Sequence, residues 1–148
     1  MSDFDPDGAG TGDGLFGLAS LADLAVAIIP VPWEATVSYG RGTSGAPQAI
    51  ELASQQVDLF DLEYGPIWQS GIGWTGDPNA VHSWNLEACT LARPIVEAGG
   101  STHDSALADA ARRVDALASR RDEWVQRLAM KAFDSGQIPV VLGGDHSS

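Results

Sequence analysis

The chain has 148 residues, 44% of them apolar, which suffices for one domain with its own core. Twenty Asp and Glu against eight Lys and Arg leave a formal charge of −12; such a surface repels phosphate backbones and anionic headgroups, so no nucleic acid and no membrane is expected as a partner. Cys89 is the single cysteine, which excludes an internal disulfide and a cysteine-based zinc site and fits a reducing, cytoplasmic setting.

Residues 1–20 are rich in Gly and Asp and offer little to bury, so a disordered tail is expected there, with residues 21–148 forming the domain. The start has neither a basic n-region nor a long apolar run, as a signal peptide or membrane span would need. Beyond the tail, apolar runs alternate with helical patterns, the signature of a parallel sheet built from crossover units. Residues 25–31 (AVAIIPV) read as a first strand, and a loop over 33–45 follows. Pro47 then sits where a first helical turn tolerates a missing N–H, so 48–55 reads as a short helix. Alternation of Val57 and Leu59 with Asp58 and Asp61 suggests a strand over 57–63, and 71–74 is a further candidate.

A helix is expected over 83–98, kinked or restarted at Pro94 and ended by Gly99 and Gly100. The longest helix spans 104–134. Its apolar positions Leu107, Ala110, Val114, Leu117, Trp124, Leu128 and Phe133 recur at threes and fours, with Lys131 inside the pattern. Arg112, Arg113, Arg120, Arg121 and Arg127 fall to the solvent side. Ser135 and Gly136 precede a last apolar run, Val140 to Leu142, read as a strand buried on both faces that delivers Asp145 and His146 to the carboxyl edge of the sheet.

Gly40, Gly42 and Gly45 spell a G-x-G-x-x-G, with Asp61 and Glu63 at about the distance of a ribose-binding carboxylate. A dinucleotide fold needs its first glycine at the strand end, whereas Pro32 to Tyr39 intervene here. The stretch therefore reads as a long loop needing a permissive backbone, and a nucleotide-binding module is the less favoured alternative. There is no P-loop and no nucleophile elbow. Cys89 lies among Ala88, Leu91 and Ala92 and reads as a packed small residue. His82 and His103 stand near helix starts without a second ligand at i+2 or i+4 and read as structural. Gly143 and Gly144 remove side chains where the chain must pass close to other backbone. For His146 itself two roles stay open: a histidine hydrogen-bonded at a sheet edge, or a neutral imidazole offered to a metal.

Gly143-Gly-Asp-His-Ser147, preceded by residues 135–142 (SGQIPVVL), resembles the first metal-binding motif of the ureohydrolases, the arginase, agmatinase and formimidoylglutamase family. Residues 31–50 (VPWEATVSYGRGTSGAPQAI) resemble the loop and helix after the first strand in agmatinase-like members. The resemblance implies an α/β fold, three-layer αβα with a mostly parallel sheet, here truncated after the strand bearing the first motif. It implies a binuclear manganese site, or nickel in a guanidine-hydrolysing branch, with His146 as a metal ligand. The other ligands belong to an Asp-x-His-x-Asp motif and a later Asp-x-Asp motif, and neither follows His146 in this sequence. Asp145 is read as an orienting neighbour and Ser147 is unassigned. The implied activity is hydrolysis, in a small-molecule substrate, of a guanidino C–N bond, releasing urea and an amine, or of a formimino C–N bond, by a homo-oligomer when complete. A second reading is a catalytically inactive fragment or interaction module of that fold.

Overall fold

The computed structural model describes residues 14–18, 23–37 and 39–147. The tail expected over 1–20 lies outside these except for its last part, where Leu15–Gly17 form a 3-10 turn with Leu15 buried. Three strands carry the sheet. β1 (Val26–Val31) is central and parallel to both β2 (Ile72–Trp74) and β3 (Ile138–Gly143). Helix α1 (Ala46–Ser54) joins β1 to β2; α2 (Pro78–Glu97) and α3 (Ser105–Asp134) join β2 to β3.

The order β2-β1-β3 sends the two crossovers in opposite directions across β1. Right-handed crossovers then place their helices on opposite faces. On one face Ile29 and Val31, with Trp33 and Ala35 beyond the strand, form the core with Val81, Ala88 and Cys89 of α2 and Leu117 and Trp124 of α3. The opposite side of β1, bearing Pro30 and Pro32, faces α1 through Pro47. The result is the expected three-layer αβα arrangement around a parallel sheet.

Two prolines lie inside strands without harming the ladder. Val26 donates its N–H towards β2, to Gly71, and Ile28 accepts there from Thr75, whereas Val31 accepts from Gly144 beyond β3. Even-numbered residues of β1 therefore bond towards β2, which ends opposite Ile28. Pro30 lies past that end and its missing N–H has no strand to serve. In β3, Ile138 donates to Ala25, so Pro139 turns its ring nitrogen to the outer edge.

Several expectations need correction. Residues 57–63 form no strand. Asp58 accepts from the Phe60 N–H at 3.0 Å, Asp61 accepts from those of Glu63 and Tyr64 at 2.8 Å, and an isolated antiparallel bridge joins Asp61 to Gly65. These side chains satisfy the backbone locally and so compete with a ladder. α2 begins earlier than expected, at Pro78, because Asp77 caps it by accepting from the Asn79 N–H. It is one helix through Pro94, which lies on the exposed side. In α3, Phe133 and Lys131 are exposed while Arg121 is buried. Finally, β3 is not covered on both faces: Ile138, Val140 and Val141 are 63%, 38% and 43% exposed. β3 is the outer strand of the described sheet, so it lacks the neighbour that would cover it.

Candidate functional site

The carboxyl ends of β1 and β3 meet in one corner, and glycine is what lets them meet. Gly144 donates its N–H to Val31 at 3.2 Å, and Asp145 donates to the Trp33 carbonyl at 2.8 Å. A Cβ on Gly144 would overlap that carbonyl, so no other residue fits without moving the backbone. The Gly143-Gly144 pair was expected to allow such an approach, and Gly144 does so.

Asp145 then fastens the two loops together. Its carboxylate accepts from the Thr36 hydroxyl at 3.0 Å and from the Ser147 N–H and hydroxyl at 3.0 and 2.6 Å. Thr36 belongs to the loop after β1, so the 33–45 loop lies on the edge of the sheet where His146 stands. Beneath, the Arg121 guanidinium lies 4.8 Å from the centre of the Trp33 ring. It donates to Asp122 at 2.6 and 2.9 Å and to the Ser147 hydroxyl at 3.3 Å. These partners explain how an arginine expected in solvent is 5% exposed: stacking and hydrogen bonds satisfy the charge where water cannot.

His146 sits between these fastened neighbours, exposed, with no hydrogen bond among the described residues. Its imidazole is free to donate a lone pair outward. Asp145 is committed to Thr36 and Ser147, consistent with an orienting residue. No cluster of three His, Cys, Asp or Glu side chains gathers here or elsewhere among the described residues. A hard divalent ion wants several oxygen ligands, so this corner, with one unbonded imidazole, does not by itself fit a metal.

The glycine loop has a different occupant from the one its spelling suggests. The Glu34 carboxylate accepts from the Gly42 N–H at 2.6 Å, the Ser44 N–H at 3.1 Å and the Thr43 hydroxyl at 3.4 Å. The donors a phosphate would need are already taken by the chain's own anion. Burial alone would raise the Glu34 carboxyl, but the Ser44 and Gly42 N–H groups and the Ser44 and Thr43 hydroxyls outweigh it and hold it below the usual carboxylate range. Glu34 is itself fixed from the other side, donating its backbone N–H to the buried Asn85 side chain at 2.7 Å. Cys89 donates to the same Asn85 oxygen at 3.4 Å, and burial pushes its thiol up, which suits a packed residue and not a nucleophile.

Sequence reasoning gave no role to Glu34 or Asn85 and placed Arg121 in solvent. Two left a signal. Glu34 is the sole carboxylate between Leu24 and Ile50, beside a glycine loop whose N–H groups need an acceptor. Arg121 stands four residues after Leu117 and three before Trp124, in the apolar register of α3.

The model of the Arginase family matches residues 24–148. The chain is also 44% identical over 130 residues to N(1)-aminopropylagmatine ureohydrolase of Synechocystis sp., an alignment covering 88% of this chain and 34% of that protein. It thus spans about a third of the length of the curated relative it matches. No solved structure matches it.

Proposed function

The chain belongs to the arginase family, and we propose that it contributes the first metal ligand, His146, to an enzyme hydrolysing a guanidino C–N bond with release of urea and an amine. One observation carries this reading. The Asp145 lock presents an unbonded imidazole at the carboxyl edge of a parallel sheet, where open α/β folds place their chemistry. Manganese is the proposed metal, with nickel the alternative; a bound divalent ion supplies acidified water and charge stabilisation for hydrolysis.

The roles of this chain's own residues follow from their contacts. His146 donates an imidazole nitrogen. Asp145 holds the turn that aims it, and Gly144 lets that turn lie against Trp33. Arg121 fixes the same turn through Ser147 while its charge stays stacked on Trp33. The 33–45 loop, stiffened by Glu34, forms a wall beside His146 and is the proposed substrate-facing segment. Substrate is a small guanidino cation, which the net charge of −12 favours at long range. The relative's name points to an agmatine derivative as the first compound to assay. A cytoplasmic homo-oligomer is the proposed setting.

The test uses a protein of the relative's full length that contains this sequence, assayed for urea release from arginine, agmatine and aminopropylagmatine with added manganese. H146A is expected to lower kcat at least a hundredfold and to reduce bound metal. Urea release from none of these or other guanidino compounds, or an H146A variant with undiminished activity and metal content, would refute the reading.

A further inference from the structure

A cleft of about 480 Å³ opens at the same sheet edge, between β1 and β2, and His146 is not among its lining residues. Its origin is topological. β1 leads into α1 on one face and β2 leads into α2 on the other, so the two connections part and leave a crevice between the helix starts. The size is that of a small-molecule site.

Its chemistry is one-sided. Pro30, Pro32 and Trp74 give apolar walls, and Gln48, Asn79 and His82 give hydrogen-bonding groups at the rim. Glu51 is the one carboxylate in the lining, and no Lys or Arg joins it. Two helix starts would ordinarily favour an anion. Here those donors are reduced: Asp77 takes that of Asn79, and Pro47 and Pro78 have none. An arriving anion would meet the Glu51 carboxylate and no cationic side chain in the lining.

We propose that this cleft binds a small organic cation, an alkylammonium or alkylguanidinium whose short apolar stem lies against Trp74 and the prolines and whose charged head pairs with Glu51. The site is separate from the His146 corner, so the inference goes beyond the proposed hydrolysis and does not rest on it.

The test follows the indole N–H signals of the whole 148-residue chain by NMR while butylammonium, butylguanidinium or butyrate is added. The Trp74 signal is assigned with W74F. The two cations are expected to shift it saturably, with dissociation constants on the order of millimolar for ligands so small, while butyrate does not and the Trp33 signal stays still. E51Q should weaken cation binding roughly tenfold, the usual effect of losing one charged hydrogen-bonding partner. Q48W, which fills the mouth from an exposed helical position, should abolish it, and H146A should leave it unchanged. Butyrate binding as well as the cations, no saturable shift at Trp74, or folded E51Q and Q48W variants that bind like the parent would each overturn the proposal.

Discussion

At the scale of single residues, the chain's polar interior is organised by Glu34. Its carboxylate binds three donors of the glycine loop and its pKa lies below the ordinary 4.5. A depressed carboxyl contributes stability that is fully present above the unfolded value and lost as pH falls through the folded one. E34Q is therefore expected to cost about 1–3 kcal/mol at neutral pH, the range for a charged hydrogen-bond acceptor. Urea unfolding midpoints of the two proteins should converge as pH drops below about 4.5. A constant difference across that range would refute the assignment. Residue-level legibility follows the same physics. Gly144 and Cys89 could be read because each role follows from the residue itself, a missing side chain and a small apolar group. Asn85 could not, because it fixes the backbone of Glu34, fifty-one positions away.

At the scale of elements, β1, α1, β2 and α3 stand close to where periodicity and punctuation put them, since burial of one face decides both the pattern and the structure. The 57–63 segment misleads because alternating Asp and apolar residues suit a strand and an Asx-turned loop equally. The aspartates settle the matter through side-chain bonds invisible to periodicity. β3 was read correctly as a strand and incorrectly as covered. Apolar composition records what the strand is built to touch, while exposure depends on neighbours it has. Ile138 is the most exposed of its apolar residues, and its backbone bond to Ala25 needs no particular side chain. I138K in the 148-residue chain is expected to change stability by less than about 0.5 kcal/mol. It should also slow aggregation, as a charge on an open sheet edge does. Thermal melts and light scattering check both; faster aggregation than the parent would contradict the edge assignment.

At the scale of the whole molecule, the chain has the layered parallel sheet of its family, but no cluster of three metal-ligating side chains among the described residues. The fold was legible because it is written in long apolar patterns. The proposed site rests in the sequence only on the resemblance around His146, because its proposed chemistry depends on several strands converging. The 148-residue chain is accordingly expected to bind manganese without saturation in the micromolar range, as befits a lone imidazole. Calorimetric titration showing tight binding of two ions by this chain would overturn that expectation. No helix among the described residues is long and apolar enough to cross a membrane.

The lock between Thr36 and Asp145 also sets an order of events. These partners lie 109 residues apart, and β1 hydrogen-bonds β3 across a similar span. Contacts so distant along the chain must overcome loop-closure entropy before they return any binding, which slows folding. During synthesis β1 emerges early and completes its ladder only after the long α3 has followed it out of the ribosome. The corner that aims His146 is therefore among the last parts of this sequence able to form, and its central strand must wait, half-paired, for the segment that finishes it.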